Sequence, residues 1–304
     1  MKHLTNLSDL GPAGLIAVLD EADRQRDQRG QLSARPLAGK QVALVFEKAS
    51  TRTRLSLEVA VSELGGHPIV LTQAGSQMGR GEPIRDSARV LGRMVHAITF
   101  RTSEAARLAE MIQFSGVPVL NALTDDSHPM QLCADLQVVR KHFGRLEGLV
   151  FCWIGDGNNM AQSWIEAVGL LKGTLRLAYP KGFEAGRNWV EAARARGADI
   201  QEFERPEDAV RGAHVISTDV FASMGQEGEA EKRRKAFANY QLTEELLAAA
   251  DTNAVVLHCL PAHRGEEIAE AVLEGPRSLV WDEAEARLHT SKALLLWATG
   301  ELRS

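Results

Sequence analysis

Ser50-Thr51-Arg52-Thr53-Arg54 places three hydroxyls and two guanidiniums in five consecutive positions. They lie between an apolar, strand-type run over 42–46 and a stretch over 55–61 whose apolar spacing suits a helix. A helix start leaves about four backbone N–H groups without partners and carries roughly half a positive charge, so this turn attracts an anion before any side chain is counted. Arginine adds a planar, permanently charged fork that matches a phosphate, whereas lysine would offer a point charge. A single Ser/Thr–Arg pair would read as a helix cap beside a solvated arginine; five such residues in succession read as a phosphate site. The glycine-rich nucleotide pattern ending in Gly-Lys-Ser/Thr is absent, which directs the expectation to a small phosphorylated metabolite.

Further polar residues follow other apolar runs. Arg101 closes a run over 97–100, and His128 and Gln131 follow 117–120 and open a helix over 132–142. Asn158 and Asn159 follow 149–154, Asp219 follows 213–217, and Cys259 and Leu260 follow 254–257. Open parallel sheets hold their ligands beyond the carboxyl ends of their strands, so these clusters predict a cleft lined from both halves of the chain. Taken alone, His128 is an ordinary helix-start residue and Gln131 a solvated one. Cys259 reads equally well as a small buried hydrophobe, and Cys133 and Cys152 read as core. Gly155-Asp156-Gly157-Asn158-Asn159 begins like a dinucleotide fingerprint, but Met160 stands where its third glycine would sit, which excludes a Rossmann cofactor site.

The elements that must carry these residues alternate. Pro12 opens a first helix, and a strand over 42–46, a helix and a strand over 67–71 follow. A polar surface loop over 72–83 contains Gly75, Gly79 and Gly81. Helices over 86–91 and 104–114 then alternate with strands over 97–100 and 117–120. A second alternation runs from 149 through strands over 175–178, 213–217 and 254–257, with helices over 160–171 and 189–196. A charged segment over 226–235 reads as a solvated face. The expected fold is therefore α/β, with two α/β domains, each a mainly parallel sheet flanked by helices. The first spans 1–143 and the second 144–285. The C-terminal helix, about 286–304, packs back on the first domain and brings Arg287 to it.

A chain of 304 residues accommodates two domains of ordinary size. The net charge of -5 argues against nucleic acid as a partner, because that would need a broad basic surface. No apolar run is long enough for a membrane span. Three cysteines without a pairing motif argue against a disulfide framework or a zinc ribbon. The N-terminal Met1-Lys2-His3-Leu4-Thr5-Asn6 lacks a signal-peptide core and the character of a transit segment, so the expected location is the cytoplasm of a bacterium or archaeon.

Phe46-Glu47-Lys48 with Ser50 to Arg54, His128-Pro129-Met130-Gln131, Asp156-Gly157-Asn158-Asn159-Met160, Asp219 with Ser223-Met224-Gly225, and His258-Cys259-Leu260-Pro261 together resemble the ornithine carbamoyltransferases. The resemblance runs nearly end to end. It implies transfer of a carbamoyl group from carbamoyl phosphate to the δ-amine of L-ornithine, giving L-citrulline and phosphate without metal or organic cofactor. Carried over motif by motif, it implies that Ser50, Thr51, Arg52 and Thr53 hold the phosphate and that Arg101 bridges phosphate and carbamoyl oxygen. His128, Gln131, Cys259, Leu260 and Arg287 would surround the carbamoyl group, and Asn159, Asp219, Ser223 and Met224 the ornithine. It also implies a homotrimer or a multiple of trimers, with Gln77 reaching a neighbouring subunit's site. Phe221 stands where many relatives have Trp. The aspartate enzymes resemble the chain around Ser50 to Arg54 but lack the Ser-Met-Gly motif and Cys259. The alternatives are an enzyme acting on a related amine such as acetylornithine or putrescine, and a non-catalytic anion-binding relative, against which the intact site residues speak.

Overall fold

Runs of four to six residues rich in Val, Ile, Leu and Phe are too short for helices and form the strands; the longer mixed stretches between them form the helices. The computed structural model describes residues 1–31, 33–222 and 230–302. Its contacts divide the chain into two units, Met1–Gln137 with Ala284–Ser304, and Val138–Glu283.

The first unit contains α1 (Gly11–Asp27), β1 (Gln41–Phe46), α2 (Arg52–Glu63), β2 (His67–Thr72), α3 (Ile84–Leu91), β3 (Ala97–Arg101), α4 (Ala105–Ser115), β4 (Val119–Leu123) and the start of α5 (Pro129–Phe143). The strands form one parallel sheet in the order β2-β1-β3-β4. Ala43 and Val45 of β1, Ile98 and Phe100 of β3 and Val119 of β4 pack with Leu108 and Met111 of α4 in one core. Such continuous burial is what a sheet covered on both faces demands. The loop over 72–83 contains two short 3-10 turns, Gln73–Gly75 and Met78–Arg80, and is largely exposed.

The second unit holds the rest of α5, then β5 (Val150–Ile154), α6 (Asn159–Leu171), β6 (Thr174–Ala178), α7 (Arg187–Ala195), β7 (Asp199–Phe203) and α8 (Pro206–Val210). After these come β8 (Val215–Thr218), α9 (Ala230–Ala236), α10 (Glu244–Ala248), β9 (Val255–His258) and α11 (Glu270–Leu273). Its parallel sheet has the order β7-β6-β5-β8-β9. Phe221 is buried and stacks on Phe237 with centroids 4.7 Å apart.

The last helix, α12 (Val280–Thr299), contributes residues from Ala284 onwards to the first unit. Arg287, His289, Thr290, Ser291 and Lys292 are all buried on it, and Lys292 pairs with Glu63 of α2. Burial around so much of its circumference explains why the helix shows no polar stripe in the sequence. No described helix is long and apolar enough to cross a membrane.

One expectation about the surface is corrected. Of the charged segment over 226–235, the residues up to 229 lie outside the described set, and the remainder forms α9. There Arg233 is buried, and its Nη1 donates to Asp156 Oδ2 at 2.6 Å and to the Phe221 carbonyl at 2.8 Å. A charge run is solvated only while no buried carboxylate and carbonyl lie within reach of one of its members.

Candidate active site

In the first unit, α2 begins directly after the turn that follows β1. Thr51 is its N-cap residue, but no side chain caps the helix. The simple capping explanation for the hydroxyl run therefore fails, and the start of α2 has no side-chain cap. Thr53 is buried, whereas Arg54 turns away along the exposed face to Glu58 at 2.5 Å. Among the described residues, Arg52 has no acidic partner within salt-bridge distance. A crevice of about 680 Å³ opens beside this turn, lined by Phe46, Lys48, Ser50, Thr51 and Arg54 among others.

Strand ends set the next residues. The β3–β4 register shifts between Phe100 and Arg101, so Arg101 pairs with Leu123, whose φ of +152° is rarely taken by an L-residue. Bulges of this kind re-aim a strand's last side chain. The Arg101 carbonyl accepts the Glu47 N–H at 2.9 Å, and the Glu47 carboxylate binds Thr102 Oγ1 and the Arg107 guanidinium, which ties the ends of β1 and β3 together.

His128 immediately precedes α5 and is buried. Burial, with Arg287 and Arg101 adding like charge, holds its pKa well below the usual histidine value, so the ring is neutral and serves as a hydrogen-bonding group without charge. Gln131, one turn into the helix, accepts at Oε1 from Arg287 Nη1 and donates from Nε2 to Asp135 Oδ1 at 2.8 Å. Arg287 Nη2 donates to Thr53 Oγ1 at 2.9 Å. Thr53, Gln131 and Arg287, which are far apart in sequence, thus meet in direct contact. Gln77 does not join them: its side chain is exposed, and its carbonyl accepts from the Arg80 and Glu82 N–H groups to close the loop.

The second unit carries a second cluster. Asp219 follows β8, is 8% exposed, and accepts from Asn158 Nδ2 at 3.3 Å, from its neighbour Val220 N–H at 2.8 Å, and from Cys259 Sγ at 3.3 Å. Burial raises its pKa, an effect opposed by His258, the Val220 N–H and the Cys259 thiol. Asn158 caps α6 through its side-chain oxygen, which accepts the Met160 and Ala161 N–H groups, leaving its amide nitrogen for Asp219. Asn159 is the first residue of α6, with its carbonyl engaged by Ser163 Oγ at 2.6 Å. Gly157 is required by close approach, since a Cβ there would lie 2.2 Å from the Ala185 nitrogen. Cys259 is thus a thiol on a buried carboxylate. Cys152, by contrast, is a core residue whose thiol is pushed up to about 12 by burial. Ser223 and Met224 lie outside the described residues.

Sequence reasoning missed three residues that position these groups. Glu267 Oε1 lies 3.0 Å from His258 Nε2, whose Nδ1 accepts the Leu260 N–H at 2.9 Å, and Glu283 accepts the His258 backbone N–H at 2.8 Å. Leu260 is held at a left-handed φ of +59°. Asp135 supports Gln131. A buried acid beside each motif was the available signal, but a carboxylate's burial is not visible in its residue type. Asp219, His258 and Cys259 bring ligand-type atoms within 4.8 Å of one another, yet both ring nitrogens of His258 are already engaged, which withdraws the imidazole from any cation held there.

The chain matches the family models for aspartate/ornithine carbamoyltransferase, the carbamoyl-P binding domain over residues 2–141 and the Asp/Orn binding domain over 147–298. It is 51% identical over 272 residues to an ornithine carbamoyltransferase of Geobacter metallireducens, covering 89% of this chain and 90% of that one. An ornithine carbamoyltransferase of Rhizorhabdus wittichii is 47% identical over 99% of both chains. The crystal structure of ornithine carbamoyltransferase from Thermus thermophilus aligns with a TM-score of 0.90 at 41% identity, covering 98% of this chain and 99% of that one.

Proposed function

Because the chain belongs to the aspartate/ornithine carbamoyltransferase family, we propose that it transfers the carbamoyl group of carbamoyl phosphate to the δ-amine of L-ornithine, giving L-citrulline and phosphate. The carrying observation is the start of α2, which has no side-chain cap and carries an arginine and hydroxyl run that suits a leaving phosphate. The first unit is the carbamoyl phosphate side and the second the ornithine side. Ser50, Thr51, Arg52 and Thr53 hold the phosphate, and Arg101 bridges it to the carbamoyl oxygen. His128, Gln131, Arg287, Cys259 and Leu260 surround the carbamoyl group. Asn159, Asp219, Ser223 and Met224 bind ornithine, and Gln77 comes from a neighbouring subunit of a homotrimer or a multiple of trimers. The setting is arginine biosynthesis in the cytoplasm.

Attack of the amine builds negative charge first on the carbonyl oxygen and then on the departing phosphate. Fixed donors at those two places each lower the barrier by a few kcal/mol. Arg52 and Arg101 supply charge to the phosphate. His128, kept neutral, donates a hydrogen bond to the oxygen without repelling the two guanidiniums beside it. The δ-amine resembles that of lysine, with a solution pKa of about 10.4, so only a minor neutral fraction reacts at pH 7. Asp219 pairs with the α-ammonium and fixes the amino-acid end while the δ-amine reaches the carbonyl. Cys259 lies on that same carboxylate and helps select the neutral form.

The test is citrulline-type product formation from carbamoyl phosphate with ornithine, acetylornithine, putrescine and aspartate offered separately. Ornithine is expected to give the highest kcat/KM. A higher value for another acceptor overturns the specificity, and inactivity with all four overturns the enzyme assignment in favour of an anion-binding relative.

A further inference from the structure

Gln131 and Asp135 are four residues apart on α5, so they lie one above the other on a single helix face. Both are buried, Gln131 to 1% and Asp135 to 0% exposure. A primary amide has a donor end and an acceptor end of nearly the same shape, and the hydrogen-bonding surroundings alone decide which end points where. Arg287 is a pure donor, so it needs the Gln131 oxygen, whereas a flipped amide would set N–H against N–H. Asp135 Oδ1 accepts from the NH₂ end at 2.8 Å, which leaves Oε1 for Arg287 Nη1. The same guanidinium then reaches Thr53 Oγ1 through Nη2 at 2.9 Å. The buried chain runs Asp135, Gln131, Arg287, Thr53, and its last member lies in the first turn of the phosphate-binding helix α2.

We infer that Asp135 is a positioning residue for carbamoyl phosphate: its carboxylate fixes the orientation of the Gln131 amide, which aims the Arg287 guanidinium and anchors Thr53 at the start of α2. The inference rests on the carbamoyl phosphate assignment of the first unit. Asp135 touches neither substrate in this scheme and acts through Gln131.

Three variants test it. In Asp135→Asn the side chain keeps its shape but offers either a donor or an acceptor, so the bias on the amide is lost. KM for carbamoyl phosphate is expected to rise about tenfold, with KM for ornithine within twofold of the parent. Asp135→Glu keeps an acceptor on the same helix face and is expected to hold KM for carbamoyl phosphate within about threefold of the parent, whereas Asp135→Ala removes the acceptor and should match Asp135→Asn. An Asp135→Asn variant with unchanged KM for carbamoyl phosphate, or one whose KM for ornithine rises as much as that for carbamoyl phosphate, overturns the inference. If Asp135→Ala fails to fold, Asp135→Asn, which is nearly the same in size and shape, still decides. A parent enzyme that forms no citrulline would instead refute the proposed function.

Discussion

At the scale of single residues, the site depends on ionisable groups whose surroundings decide their charge. Asp219 is buried and accepts three hydrogen bonds, and among the described residues it forms no salt bridge with Lys or Arg, which suits a seat for an incoming ammonium group. Asp219→Ala is therefore expected to raise KM for ornithine about 100-fold while leaving KM for carbamoyl phosphate nearly unchanged. Equal losses for both substrates would remove it from the ornithine side. His128 makes a pH prediction. Its pKa in the folded protein is depressed by burial and by Arg287 and Arg101, so the unfolded chain, titrating near 6.5, binds a proton that the native state rejects. The stability associated with the neutral ring is fully present above pH 6.5 and is lost as the pH falls below that value. Between pH 6.5 and 5.5 the parent is expected to lose about 1 kcal/mol more in urea unfolding than His128→Gln does. Equal losses in the two proteins would mean that His128 is not the group responsible.

At the scale of elements, what positions the residues is the way strands end and helices begin. Gly157 lies in the turn between β5 and α6, where its N–H donates to the Phe183 carbonyl at 2.8 Å and its Cα packs against the backbone of Glu184 and Ala185. Gly157→Ala would force that backbone apart, at an expected cost of about 1–3 kcal/mol in stability. It should displace Asn158 from Asp219, so KM for ornithine should rise several-fold more than KM for carbamoyl phosphate. Unchanged kinetics would show that the turn absorbs the methyl group. The elements were legible wherever their chemistry was unambiguous: β1, β5 and β9 are apolar runs, and α6 starts at an asparagine cap. β7 escaped notice because Asp199–Phe203 is a half-exposed strand with polar residues at most positions. Arg233 was misread because its partner, Asp156, lies 77 positions earlier in the chain. The proposed phosphate turn rests on five adjacent residues, whereas the contact of Arg287 with Thr53 spans 234 positions and leaves no local pattern. Asp135, Glu267 and Glu283 lie much nearer their partners in sequence and were missed because a carboxylate's burial cannot be read from its residue type.

At the scale of the whole molecule, two parallel-sheet units were predictable from the alternation of strand and helix, because that rhythm restarts near residue 149. The divisions between the units fall after Gln137 and Glu283, inside α5 and α12, so no glycine- or proline-rich linker marks them. Assembly is the property least accessible from one chain. As a homotrimer, the protein is expected to show a mass of about 100 kDa by light scattering, three times its 33.2 kDa. A species of 33.2 kDa with full activity would refute the donation of Gln77 by a neighbour. The first unit is also discontinuous: the chain leaves it at Gln137 and returns at Ala284, bringing Arg287 with it. Translation proceeds from the N-terminus, so a nascent chain carries Ser50 to Arg54 through most of its synthesis without the guanidinium that holds Thr53. All residues of the second unit are therefore synthesised before the segment that completes the first, and Thr53 gains its Arg287 contact only after that segment has emerged.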